Sequence, residues 1–170
     1  MAVAINNQQV VVGESTNANG HFRPFRWTDG EMVDLGTLGG ATGLANDIND
    51  CGQIVGRAEN LAGRTHAFLL AGGTMKDLGS LGAFSGANAI SENTGDIVGD
   101  SEVPSRFSHA VLWRGGVLLD LNTLVDNKPA DITLAAAADV NDRGEIVGCL
   151  STPDHTGDHS FLLRPIAGPP

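Results

Sequence analysis

The chain has 170 residues, 23 of them glycine, and carries 20 acidic and 10 basic side chains for a net charge of −10. Nucleic acids and anionic membranes bind basic surfaces, so this balance argues against either partner. No stretch approaches the roughly 18 consecutive apolar residues that indicate membrane insertion. The length fits one domain with a core of its own, and 41% apolar residues are too many for a disordered tail.

The chain repeats itself four times. Two motifs define the first half of each unit: a run of the form Ala-x-Ala/Asp-Ile/Val-Asn/Ser and, a few residues later, two aliphatic residues followed by glycine. These glycines, which are 43, 43 and 49 residues apart, are Gly13, Gly56, Gly99 and Gly148. An insertion at residues 125–135 accounts for the longer last interval. A constant order and spacing of motifs indicates a tandem repeat.

The sequence pattern of the repeat unit predicts four short strands joined by tight turns. In the second unit these strands lie at residues 45–49, 53–57, 66–70 and 75–78. Glycine, asparagine and aspartate at the joints supply the positive φ angles that such turns need. A four-stranded unit of about 43 residues is typical of a β-propeller blade. The alternative, a stacked β-solenoid, is less favoured because hairpin turns such as residues 49–52 indicate antiparallel strands.

We therefore predict an all-β protein in which residues 1–170 form a single β-propeller domain of four blades. The blades are expected at about residues 2–44, 45–86, 87–136 and 137–170. Only three clear strands are predicted for the last blade, because the proline-rich residues 164–170 are poor strand material. Such a blade either stays three-stranded or is completed by another chain, which would make the protein a homo-oligomer.

Equivalent positions of successive blades fall on rings around a propeller axis, and the first strand lies innermost. The third position of that strand holds Ala4, Asp47, Ala89 and Asp139. In a four-bladed ring Asp47 and Asp139 face each other across the channel. This carboxylate pair is our candidate ligand-binding, metal and catalytic site, which would bind a divalent cation or a cationic group, or act in acid–base chemistry. The alternative is that each aspartate caps a local turn or faces solvent.

Asn49 and Asn141 stand two residues after these aspartates, at a position that Asn6 and Ser91 share. Their amides are candidate ligand-binding groups that would line the channel. The structural alternative is favoured, because an asparagine before a turn hydrogen-bonds its own backbone.

The repeat histidines His66, His109 and His159 open the third strands. Three histidines on one ring are potential zinc ligands. The third strands diverge from the axis, however, so a hydrogen bond to the Asp-Leu-Gly turn is the favoured interpretation. A weaker metal candidate in the last loop consists of Asp154, His155, Asp158 and His159. Beyond a divalent cation in the channel, no cofactor is predicted.

Several strings resemble the HAF repeat family, which is named after the His-Ala-Phe found here at residues 66–68. They are Ala-Ile-Asn-Asn, Gly-Gln-Ile-Val-Gly, His-Ala-Phe-Leu and Asp-Leu-Gly-Thr-Leu-Gly-Gly, and with their variants they cover nearly the whole chain. The first and third units depart from His-Ala-Phe at residues 23–25 and 109–111. The resemblance implies a bacterial, extracellular repeat protein and no particular activity. Residues 1–12 carry no signal-peptide pattern, so the location stays open.

The units differ most in five segments, at residues 14–22, 59–65, 101–108, 126–133 and 151–158. Several of these segments are equivalent between units and are expected to cluster at one end of the sheets. We therefore predict a non-catalytic binding module that presents these loops or a central channel to a small molecule, glycan or protein. The alternatives are a small enzyme (an isomerase, lyase or hydrolase) that uses Asp47 and Asp139, and a structural repeat that assembles into arrays.

Overall fold

The computed structural model describes residues 1–152 and 159–166, which fold into four antiparallel sheets, one for each repeat unit. Strands follow one another in chain order within every sheet. Sheet 1 consists of β1 (Ala2–Ile5), β2 (Val11–Thr16), β3 (Phe22–Thr28) and β4 (Glu31–Asp34). Sheet 2 consists of β5 (Gly39–Ile48), β6 (Ile54–Asn60), β7 (Thr65–Ala71) and β8 (Thr74–Asp77). Sheet 3 consists of β9 (Ser85–Ile90), β10 (Ile97–Glu102), β11 (Ser108–Arg114) and β12 (Val117–Asp120). Sheet 4 consists of β13 (Thr133–Val140), β14 (Ile146–Ser151) and β15 (His159–Leu163).

The prediction of an all-β fold with antiparallel sheets is confirmed. In the part of the chain that the structure describes, sheet 4 has three strands and the one helical element is a 3-10 turn at Leu121–Thr123. No helix among these residues has the length and apolar character needed to cross a membrane. β5 begins at Gly39, earlier than the predicted blade boundary near residue 45, because its first half continues to pair with β6 as far as Asn60.

The glycine that ends the aliphatic motif lets the first two strands of each sheet approach closely. β5 and β6 shift register between Ala45 and Asp47. At this bulge a Cβ atom on Gly56 would lie 2.1 Å from the carbonyl oxygen of Leu44. A backbone carbonyl oxygen would lie 1.9–2.1 Å from such a Cβ atom at the equivalent positions Gly13, Gly99 and Gly148. This close approach explains why glycine recurs in all four units.

Each sheet packs face to face on the next sheet. We call the face toward the following sheet the leading face, and the face toward the preceding sheet the trailing face. Between sheets 2 and 3, the leading face contributes Val55 and Leu69. The trailing face contributes Ile90, Ile97 and Trp113. Equivalent clusters join sheets 1 and 2 and sheets 3 and 4, and within the described residues none of the three clusters joins sheet 4 to sheet 1.

Candidate functional site

Asp47 lies near the end of β5, at the junction between sheets 2 and 3. Its Oδ2 accepts a hydrogen bond from the backbone N–H of Ile90 at 2.9 Å, and its Oδ1 accepts one from Ile48 at 2.9 Å. Burial raises the pKa of Asp47; the two hydrogen bonds oppose that rise, and the negative charge of Asp139 adds to it. The Asp47 carboxylate therefore links sheets 2 and 3, and the negative charge of Asp139 adds to the rise of its pKa.

Asp139 occupies the equivalent position near the end of β13 and is exposed. Its Oδ1 accepts a hydrogen bond from the N–H of Val140 at 2.8 Å, which repeats the contact that Asp47 makes with Ile48. These local bonds agree with the alternative in which each aspartate caps its own backbone. The negative charge of Asp139 contributes to the raised pKa of Asp47, and the opposed pair across a channel stays a prediction.

Asn49 and Asn141 fix the turns between the first two strands of their sheets. The side-chain oxygen of Asn49 accepts a hydrogen bond from the N–H of Gln53 at 3.0 Å, and that of Asn141 accepts one from Glu145 at 3.1 Å. Asn49 Nδ2 also donates to the carbonyl oxygen of Ser91 in the next sheet at 3.3 Å. The two amides therefore hold turns, and Asn49 also joins neighbouring sheets.

The turn at Asn141 predicts a measurable pH dependence of stability. Asn141 Nδ2 donates to Glu145 Oε2 at 2.7 Å and Arg143 Nη2 donates to the same oxygen at 2.6 Å, and these contacts lower the pKa of Glu145 to about 2. Because the folded chain favours the ionised form, this stabilisation is complete above the ordinary pKa of 4.5 and is lost as the pH falls toward 2. Glu145→Gln should lower the free energy of unfolding at pH 7, as measured by urea denaturation.

The difference between Glu145→Gln and the parent should shrink as the pH falls from 4.5 toward 2. Glu31→Gln is the matched control, since Glu31 is an exposed glutamate on β4, and it should leave the unfolding curve unchanged at each pH. A Glu145→Gln difference that stays constant across this range would contradict the electrostatic origin.

Two of the repeat histidines, His66 and His109, pair with the aspartate of the Asp-Leu motif in the same sheet, and arginine replaces histidine in sheet 1. The pairs, with N–O distances of 2.9, 2.8 and 3.1 Å, are His66–Asp77, His109–Asp120 and Arg23–Asp34. Each pair joins the start of a third strand to the end of a fourth. The interpretation favoured by the sequence, a hydrogen bond to this turn, agrees with the geometry of His66 and His109.

In the residues that the structure describes, no three His, Cys, Asp or Glu side chains form a group that could hold a metal ion. A divalent cation at Asp47 would have to share oxygens that already accept backbone hydrogen bonds. Three members of the predicted loop cluster, Asp154, His155 and Asp158, lie outside the described residues. The channel cation therefore stays a prediction.

The other end of the sheets carries the loops between second and third strands, and three of these loops share one backbone frame. A backbone hydrogen bond closes each loop across residues 17–21, 60–64 and 103–107. Gly20 and Gly63 take the left-handed conformation in the first two loops, with φ of 80° and 72°. Arg106 takes it in the third with φ of 67°, where a side chain costs about 1 kcal/mol or more.

A pocket of about 320 Å³ opens at this loop end between sheets 3 and 4. Its wall includes Phe107, Asp131 and the hydroxyl-bearing residues Ser108, Thr133, Ser151 and Thr152. All six belong to three of the five segments in which the units differ. The sequence therefore indicated the segments without indicating the residues, because the pocket forms only where these distant segments meet.

A larger groove of about 460 Å³ lies between sheets 3 and 4 at their outer edge. Its wall is mainly apolar and includes Leu112, Leu121, Ile146 and Leu163. The groove runs beside β15, on the side where the other sheets carry a fourth strand. Within the described residues β15 is the last strand of sheet 4, and we interpret the groove as the space beside this strand.

No family model matches the chain, and no curated protein matches it. Among solved structures, the chain is similar to TolB from Acinetobacter baumannii, with a TM-score of 0.58 at 10% sequence identity. The match covers 94% of this chain and 42% of the TolB chain, so the chain spans less than half the length of that protein. At this identity the similarity shows the fold alone.

Proposed function

We propose that the four sheets are blades of a β-propeller and that the chain is a non-catalytic binding module. Two observations support the propeller: consecutive sheets pack face to face, and TolB, which the chain resembles, contains a β-propeller domain. The repeat motifs support membership of the HAF repeat family. A repeated scaffold that carries variable loops at one end is an arrangement suited to recognition.

The pocket at the loop end is the observation that carries the binding function. Phe107 is 65% exposed and lines this pocket, where a ligand could pack against its ring. Next to it, Arg106 is held in the left-handed conformation that the other loops reserve for glycine. Residues kept in such conformations cluster at binding sites, because the surrounding structure holds them there.

The chemistry of the pocket favours a sugar. An aromatic ring such as that of Phe107 packs against the C–H face of a pyranose, while hydroxyls and a carboxylate hydrogen-bond its hydroxyl groups. The carboxylate of Asp131 repels acidic ligands and attracts basic ones. We therefore propose neutral or amino sugars as the ligand class and expect uronic acids to bind more weakly.

The alternative function, a small enzyme acting through Asp47 and Asp139, is favoured by the raised pKa of Asp47. The hydrogen bonds of Asp47 weigh against it. Both oxygens accept backbone N–H groups, one of them from the next sheet, so use of this carboxylate as an acid or base would loosen a junction. The binding function has no such conflict with the fold.

On an array of immobilised oligosaccharides, the parent chain is expected to bind neutral or amino sugars. Phe107→Ala should weaken binding about tenfold or more, because the ring supplies the main apolar contact. The affinity for the best array sugar is then measured by isothermal titration calorimetry. Leu61→Ala, which truncates an exposed residue of the neighbouring loop, is the matched control and should bind like the parent. Binding to no oligosaccharide contradicts the ligand class, and unchanged binding by Phe107→Ala contradicts the site.

A further inference from the structure

The two ends of the row of sheets leave uncovered the faces that every inner sheet buries. On the trailing face of sheet 1, Ile5 is 65% exposed, whereas its counterparts in the other three sheets are 4–6% exposed. On the leading face of sheet 4, Val147 is 43% exposed, whereas its three counterparts are 0% exposed. An apolar face that is used at three junctions and left bare at both ends indicates an interaction surface.

The junction between sheets 2 and 3 shows what these bare faces are built to contact. Trp113 on the trailing face packs in one cluster with Val55 and Leu69 on the leading face. The Trp113 Nε1 group also donates to the carbonyl oxygen of Leu78 at 2.9 Å. Asp47 Oδ2 crosses the same junction to the N–H of Ile90.

The units alternate in pairs, so sheet 4 resembles sheet 2 and sheet 1 resembles sheet 3. On the leading face of sheet 4, Val147 and Leu162 occupy the positions of the valine and leucine of the junction between sheets 2 and 3, and both are exposed. Asp139 stands where that junction has its aspartate. On the trailing face of sheet 1, Trp27 and Ile5 occupy the positions of its tryptophan and isoleucine, and both are exposed.

We propose that the trailing face of sheet 1 docks on the leading face of sheet 4 of a second copy of this chain. The contact would repeat the junction between sheets 2 and 3: Trp27 is buried against Val147 and Leu162, and the Asp139 carboxylate accepts a hydrogen bond from the N–H of Ile5. The two faces differ, so the interface is head-to-tail, and copies close into a ring or extend into a row.

We choose a second copy of this chain as the partner because the contact would repeat the junctions between its own sheets. The tryptophan and the isoleucine that the trailing face contributes at the junction between sheets 2 and 3 have counterparts in Trp27 and Ile5 of this same sequence. Among the described residues both faces are exposed, so a second copy can reach them without displacing any part of the fold. This interface lies on sheet faces and is separate from the loop-end pocket, so it does not depend on the proposed sugar site.

Light scattering after size exclusion tests the proposal on the full chain. The parent should show a mass of at least two chains at micromolar concentrations. Ile5→Glu blocks one face and Leu162→Glu blocks the other, and each variant alone should be monomeric. Both substitutions are at exposed positions, so each should keep the circular dichroism spectrum of the parent. Leu61→Glu, in an exposed loop away from both faces, is the matched control and should keep the parent mass.

The mixture of the two blocked variants provides the sharper test. Each variant retains the face that the other lacks, so an equal mixture should form a 1:1 heterodimer that grows no further. A monomeric parent overturns the proposal, and so does a parent mass that survives either substitution. A mixture that stays monomeric overturns the head-to-tail geometry and with it the proposed interface.

Discussion

Gly56→Ala is expected to lower the free energy of unfolding by about 3 kcal/mol. The new methyl group would lie 2.1 Å from the carbonyl oxygen of Leu44 and 2.9 Å from the Cα of Ala45. Both neighbours are backbone atoms of β5, so no side chain can rotate away to make room. The strands β5 and β6 must separate at the bulge, which breaks their pairing. Urea denaturation followed by circular dichroism measures the loss.

Gly52→Ala is the matched control for this substitution. Gly52 has a φ of 73° and open space where a Cβ atom would lie, so only the conformational cost of about 1 kcal/mol is expected. Equal losses in the free energy of unfolding for Gly52→Ala and Gly56→Ala would show that the requirement for glycine at position 56 comes from backbone conformation and not from the close approach of two strands.

Trp113→Ala is expected to lower the free energy of unfolding by about 3–5 kcal/mol. Trp113 is 2% exposed between sheets 2 and 3, and its indole N–H is bonded to the carbonyl oxygen of Leu78. Its removal leaves a cavity among packed aliphatic side chains and an unpaired carbonyl oxygen. Thermal and urea denaturation both report this loss.

Trp27→Ala supplies the comparison, because Trp27 holds the same repeat position but is 37% exposed. In dilute solution, where copies do not associate, its loss should cost about 1 kcal/mol or less. Equal effects at Trp27 and Trp113 would mean that the trailing face of sheet 1 is covered within a single chain. The pair of substitutions therefore separates an open row of sheets from a ring closed by the chain itself.

The repeat period made the number and order of the sheets predictable. Each unit carries the same turn and strand signals, so a strand that is ambiguous in one unit can be assigned from its counterparts in the other units. The close approach at Gly56 was not predictable in that way, because a glycine in a strand does not reveal which backbone atom it approaches. The start of β5 at Gly39 was missed for a related reason: glycine-rich residues read as a loop until their pairing partners on β6 are known.

The candidate site was predictable in position and only partly in role. Ala4, Asp47, Ala89 and Asp139 occupy the equivalent position in the first strands of the four sheets, as the repeat predicted. The partner of Asp47 is Ile90, which lies 43 residues away in another unit, and no local pattern marks such a hydrogen bond. The pocket around Phe107 was harder still to predict from the sequence, because its wall is built from three segments whose sequences differ between the units.

The arrangement of the three core clusters has a consequence for how the molecule unfolds. Among the described residues each cluster joins only consecutive sheets, so there the inner two sheets are held by two junctions and the outer two by one. Stability then behaves as a sum of units and nearest-neighbour couplings, and opening begins at the ends of the row. Addition of a second copy converts a terminal sheet into an internal one, so association would suppress fraying at the same surface that it covers.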